Sequence, residues 1–131
     1  MLRMVTLKFM LQNYFMAYNE ALASRVRNRL STLEPIEEKR MMGGLTFMYN
    51  DKMCLGIIKD DLMCRIDPAI HEEVIKKPGC RTMDFTNRPM IGYVLVNGDA
   101  LKNDFEYWVN LALDFNKHAK SSKKRGGILR S

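Results

Sequence analysis

The residues with reactive side chains are few: two histidines, three cysteines and three adjacent acidic pairs. A helical metal pair needs histidines four residues apart on one face. His71 and His118 have no such partner, so both are read as surface residues. Cys54, Cys64 and Cys80 form an odd set with no CxxC spacing, which argues against a disulfide framework and against a zinc ribbon. Reduced thiols in a cytoplasmic protein are the simplest reading. Cys54 and Cys64 fall on adjacent predicted strands. Alternation sets Cys54 opposite the main apolar set of its strand and Cys64 within its own, so the two thiols are expected to face different ways. No histidine is placed by sequence to activate them. Glu37-Glu38, Asp60-Asp61 and Glu72-Glu73 are neighbours. Neighbours in a strand point to opposite faces and turn pairs are solvated, so neither arrangement builds an acid/base dyad. GxSxG, HExxH and the dinucleotide fingerprint are all missing from the sequence. No catalytic residue, cofactor site or metal ligand is assigned, and the chain reads as a non-enzyme.

Binding chemistry rests on glycine and arginine. In "KRMMGGLTFMYN" the pair Gly43-Gly44 runs at once into strand alternation. A phosphate loop instead spreads its glycines over a longer turn that opens a helix. The pair is therefore read as a structural bend or bulge leading into the first hairpin. Arg40, Arg65, Arg81, Arg88 and Tyr93 are candidates for an anion-binding pocket beneath that hairpin, which would make the chain a small ligand-binding protein or enzyme. Solvated or salt-bridged positions explain the same five residues more simply.

The formal charge of +6 raises the question of nucleic acid, and its location answers in part. Lys117 to Ser131 holds six basic residues and no acidic one, so the tail alone carries the excess. Between Met16 and Asn116 there are 13 basic and 15 acidic residues. The tail suits weak, non-specific phosphate contact, or serves only as a solubilising end. No run approaches the ~18 apolar residues that a membrane span requires.

Those side chains need a scaffold, and the 131 residues divide into three parts. Residues 1–15 form an N-terminal extension, with Leu7, Met10, Leu11 and Tyr14 at helical spacing. Lys8 breaks the apolar run and no cleavage site follows, so a secretory signal is rejected. Either Met16 is the natural start, or the extension forms a helix that packs on a partner subunit. Residues 16–118 form the folded domain, and residues 119–131 a flexible basic tail. In the domain, Asn19 is placed to cap a helix with Leu22, Val26, Leu30 and Leu33 on one face, ending at Glu34-Pro35. "LTFMYN" and "KMCLGIIK" form a hairpin about Asn50-Asp51, with Met53, Leu55 and Ile57 sharing a side, and "LMCRID" continues the meander. Asp67-Pro68 opens a short helix stopped at Lys77-Pro78-Gly79. "CRTMDF" and "MIGYVLV" add two strands. Asp99 is then read as the cap of a last helix with Leu101, Phe105, Trp108, Ala112 and Phe115 along its buried face. The class is α+β, an antiparallel sheet of about five strands flanked by helices in the order α-β-β-β-α-β-β-α.

"ALASRVRNRLSTL", "RMMGGLTFMYNDKMCLGI", "LMCRIDP", "TMDFTNRPMIGYVLV" and "LKNDFEYWVNLAL", in that order, resemble the N-terminal domain of the TfoX/Sxy family. Arg40, Met41-Met42 and Gly43-Gly44 match the segment that leads into that family's first hairpin. The resemblance spans Tyr18 to His118. It implies a compact antiparallel sheet with flanking helices, and a non-enzymatic regulator of transcription and DNA-uptake competence. Such a regulator acts through a protein partner, a transcription factor or an RNA polymerase component, or through a homodimer. Founding members carry a further C-terminal helical domain, and here a short basic tail follows His118. The resemblance supplies no catalytic or ligand residues.

Overall fold

The computed structural model describes residues 18–41, 43–85 and 87–120. The extension 1–15, Met16, Met42 and most of the basic tail lie outside them. Helix α1 (Glu20–Arg29) starts where Asn19 Oδ1 accepts the Leu22 N–H at 3.0 Å, and it buries Leu22, Ala23 and Val26. It stops short of the expected Pro35. The Ser31 hydroxyl donates to the Asn28 carbonyl at 2.8 Å, an alternative partner that Ser offers to a helix end.

Six strands follow: β1 (Ile36–Met41), β2 (Gly44–Tyr49), β3 (Lys52–Ile58), β4 (Asp61–Arg65), β5 (Cys80–Phe85) and β6 (Arg88–Val96). The strand beyond the expected five is β1, whose sequence IEEKRM lacks the alternation that marks a half-buried strand. Its place comes from pairing with β2, from Ile36 opposite Tyr49 to Met41 opposite Gly44. It forms one edge of the sheet, and charged side chains along an edge discourage pairing with another chain.

The sheet is antiparallel throughout, in the order β1-β2-β3-β4-β6-β5. Asn50 and Asp51 both take positive φ, 54° and 62°, as a two-residue hairpin turn requires. Between β4 and β5 the Asp67 carboxylate accepts the Ala69 N–H at 2.9 Å, opening a 3-10 turn (Pro68–Ile70) that runs into the single-turn helix α2 (His71–Val74).

Helix α3 (Gly98–Asn116) closes the fold. Its cap is Asn97, which accepts the Ala100 N–H at 3.0 Å, in place of the expected Asp99. The helix begins two residues earlier than a cap at Asp99 implied, and Asp99 sits in the first turn, paired with Lys102 at 3.4 Å. Leu101, Phe105, Trp108 and Ala112 are buried as the periodicity required, while Phe115, expected with them, is only partly buried.

Helices α1 and α3 cover one face of the sheet. Their apolar stripes join Phe47, Leu55, Ile57, Leu62, Cys64 and Val94 in the main core. The opposite face carries a second cluster of Met48, Met53, Met63, Met83 and Leu95. Two irregularities decide which residues go where. Phe47 pairs with Leu55 while Met48 pairs with Met53, so Cys54 is an extra residue in β3. A bulge of this kind resets alternation. Met53 therefore joins the second face instead of sharing one with Leu55 and Ile57, and Cys54 enters the main core. In the other, Thr82 pairs with Val94 and Met83 with Met90, which leaves Ile91, Gly92 and Tyr93 looped out of the ladder to β5, while Tyr93 still pairs with Arg65 of β4.

Candidate interaction surface

The loop-out in β6 is held from beneath by a histidine. His71 is buried, with 1% exposure, and is not the surface residue that its place in a short polar helix suggested. Its Nδ1 accepts the Gly92 N–H at 2.9 Å, and its Nε2 lies 2.8 Å from Thr82 Oγ1. A neutral imidazole has one acceptor nitrogen and one N–H. With Nδ1 accepting, the proton sits on Nε2 and is donated to Thr82. A base that already donates to a hydroxyl cannot take that hydroxyl's proton, so His71 and Thr82 are not arranged as a nucleophile and its base. The pair instead staples α2 to β5 and β6. Gly92 has φ +93°, and a Cβ there would come within 3.2 Å of the Pro68 ring.

The three cysteines occur as free thiols. Cys54 and Cys64 share the main core, because the β3 bulge rotates Cys54 onto the helix side; the expectation that they diverge fails there. Burial pushes the Cys54 thiol up to about 12 and the half-buried Cys80 up to about 11, and drives Cys64 upward as well. These are conditions that suppress thiolate chemistry.

The candidate anion residues are distributed over the sheet. Arg40 lies on edge strand β1, with its guanidinium 5.9 Å from the Tyr18 ring centre. Arg81 lies on β5 at the far edge and pairs with Asp61 at 2.8 Å. Arg88 is exposed at the start of β6. Arg65 and Tyr93 are brought together as register partners, with the guanidinium 5.6 Å from that ring and 5.9 Å from Phe115. Gly43 turns the chain at φ +76°, and Gly44 starts β2 so close to β3 that a Cβ would collide with the Ile57 carbonyl.

The α1 arginines are absorbed by neighbours that periodicity alone could not supply. Arg27 makes two bonds to Glu38 of β1, at 2.6 and 2.8 Å, which hold the Glu38 carboxyl below its ordinary value. Arg29 joins Glu106 at 2.7 Å and Asn110 at 2.8 Å, and Arg25 lies 4.0 Å over the Phe105 ring. An open cleft of about 400 Å³ lies there between α1 and α3, lined in part by Arg25, Asn28 and Phe105.

Three large apolar side chains remain exposed among the described residues: Ile91 at 53%, Tyr107 at 39% and Ile70 at 37%. Ile70 and Ile91 immediately precede the two residues joined by the His71–Gly92 bond. The loop-out thus presents an apolar point on a rigid support, a geometry suited to docking another protein. Only Gly92 hinted at it in the sequence, since an isolated glycine in a strand pattern suggests a bulge.

A family model described as the TfoX N-terminal domain matches residues 28–116, from the end of α1 to the end of α3. No curated protein and no solved structure matches the sequence.

Proposed function

The chain belongs to the TfoX N-terminal domain family, and from that premise we propose that it is a non-enzymatic interaction module that regulates transcription through a protein partner. The partner in this reading is a transcription factor or an RNA polymerase component, met in the cytoplasm in the setting of DNA-uptake competence. The observation that carries the reading is the stapled loop-out, which holds Ile91 at 53% exposure next to Gly92, whose N–H is bound by His71. An apolar side chain on a fixed backbone loses little freedom on docking, so more of its burial appears as affinity. The basic residues after Lys120 add a weak, non-specific phosphate contact near the promoter.

The test is affinity capture from native extract with the full chain and with Ile91→Asp. The expected result is recovery of a transcription component by the parent chain and its loss with the variant, while thermal stability is unchanged because Ile91 is exposed. Deleting residues 121–131 should leave protein capture intact and weaken only salt-sensitive retention on DNA. Capture indifferent to Ile91→Asp would reject this surface. A bound small anion with no protein partner would favour the ligand-binding alternative built on Arg65 and Tyr93.

A further inference from the structure

The second face of the sheet poses a separate question. Its five most buried residues, Met48, Met53, Met63, Met83 and Leu95, come one each from β2, β3, β4, β5 and β6. They are only 1–9% exposed, although every described hydrophobic residue packed with them is a strand residue of the same sheet. Helices α1 and α3 lie on the other side. A single sheet layer does not bury its own outward side chains so completely, because stable architectures set a second layer on each apolar face.

The composition of the chain points to the cover. Of the eleven methionines, six lie on this face or its rim and four lie in the first sixteen residues, leaving only Met42. In the extension, Leu7, Met10, Leu11 and Tyr14 repeat at the spacing of one helical face. Unbranched, polarizable methionine side chains fit against one another without demanding a unique shape. The dimensions agree. Four strand spacings from β2 to β5 make about 19 Å, and fifteen helical residues make about 22 Å. The described chain also begins in the right place. The Asn19 N–H donates to the Lys59 carbonyl at 2.6 Å, Tyr18 bridges Lys59, and Ile58 beside them belongs to the rim of the methionine face. A segment leaving Tyr18 meets a helix side already filled and a methionine side with no described helix over it.

We propose that residues 1–15 dock in cis as an amphipathic helix across the methionine-lined face, with Leu7, Met10, Leu11 and Tyr14 turned inward. The extension is then the third layer of the domain and is not an arm reaching to a partner subunit.

The test uses the full chain with ¹³C-labelled methionine and leucine methyl groups. The expected result is nuclear Overhauser contacts from Met10 and Leu11 to Met53, Met63 or Met83 that persist on dilution. Random-coil signals from Met10 and Leu11 with no such contacts would overturn the proposal. So would contacts that appear between chains in an isotope-filtered mixture of labelled and unlabelled protein, since the cover would then be a second copy. As an independent measure, Leu7→Asp/Leu11→Asp should speed peroxide oxidation of Met63 and Met83 severalfold, with Trp108 on the opposite face reporting that the fold is kept. An unchanged oxidation rate in that variant would also overturn it. Should the variant unfold, the methyl contacts in the parent chain decide the matter alone.

Discussion

His71 shows what a single residue type leaves undetermined. Within "DPAIHEEV" it sits among charged neighbours, and nothing local distinguishes a solvated ring from one that fills a core. Its partners, Thr82 and Gly92, are eleven and twenty-one residues away in sequence. Removing the ring would leave a cavity and an orphaned Gly92 N–H at once. Since a buried donor without a partner costs about 1–3 kcal/mol beyond the lost packing, His71→Ala should destabilise the domain by about 3 kcal/mol. Urea denaturation measures this, and a loss under ~0.5 kcal/mol would mean that the histidine is not the staple described. Asn97 makes a related point, because Asn97 and Asp99 are both competent caps. The one that caps is Asn97, whose own N–H is tied to the distant Gly79 carbonyl at 2.9 Å.

Among the elements, β1 and the two bulges are the parts that periodicity missed. Alternation reports a strand only when one face is buried and the other wet. Ile36–Met41 is an edge strand with charged residues on both faces, stabilised by its ladder to β2 and by the Arg27–Glu38 pair. The Gly43-Gly44 junction that feeds β2 is legible as a bend, but its two glycines differ in why they are needed. Gly43 has positive φ and open space around it, whereas Gly44 has the Ile57 carbonyl where a Cβ would be. Gly43→Ala should therefore cost ~1 kcal/mol, through backbone strain alone. Gly44→Val should cost ~3 kcal/mol or more, because β2 and β3 must move apart. Thermal denaturation of the two variants distinguishes these causes. Equal losses would contradict the close approach of β2 to β3.

For the molecule as a whole, the three thiols come from β3, β4 and β5, and each has its pKa raised by burial. A thiol raised from its ordinary value near 9.0 to about 12 or about 11 keeps its proton in the folded state after the unfolded chain has lost it. Stability is then fully present below about pH 9 and falls as pH rises towards 11–12, since the unfolded state binds fewer protons there. Denaturation midpoints compared at pH 8 and pH 10.5 should show this fall, and Cys54→Ala/Cys80→Ala should flatten it. A slope unaltered by the double variant would assign the alkaline loss to other groups. Local pattern was enough for the class, the family, most of the buried stripes of α1 and α3 and five strands of the sheet. Each of these depends on neighbours within a few residues, which periodicity and turn chemistry record. The edge strand, the burial of His71, the turning of Cys54 into the core and the exposure of Ile91 were decided only by the tertiary structure. Each rests on strand register and on partners far along the chain, and one extra residue in a ladder reverses which face a side chain takes without any local mark.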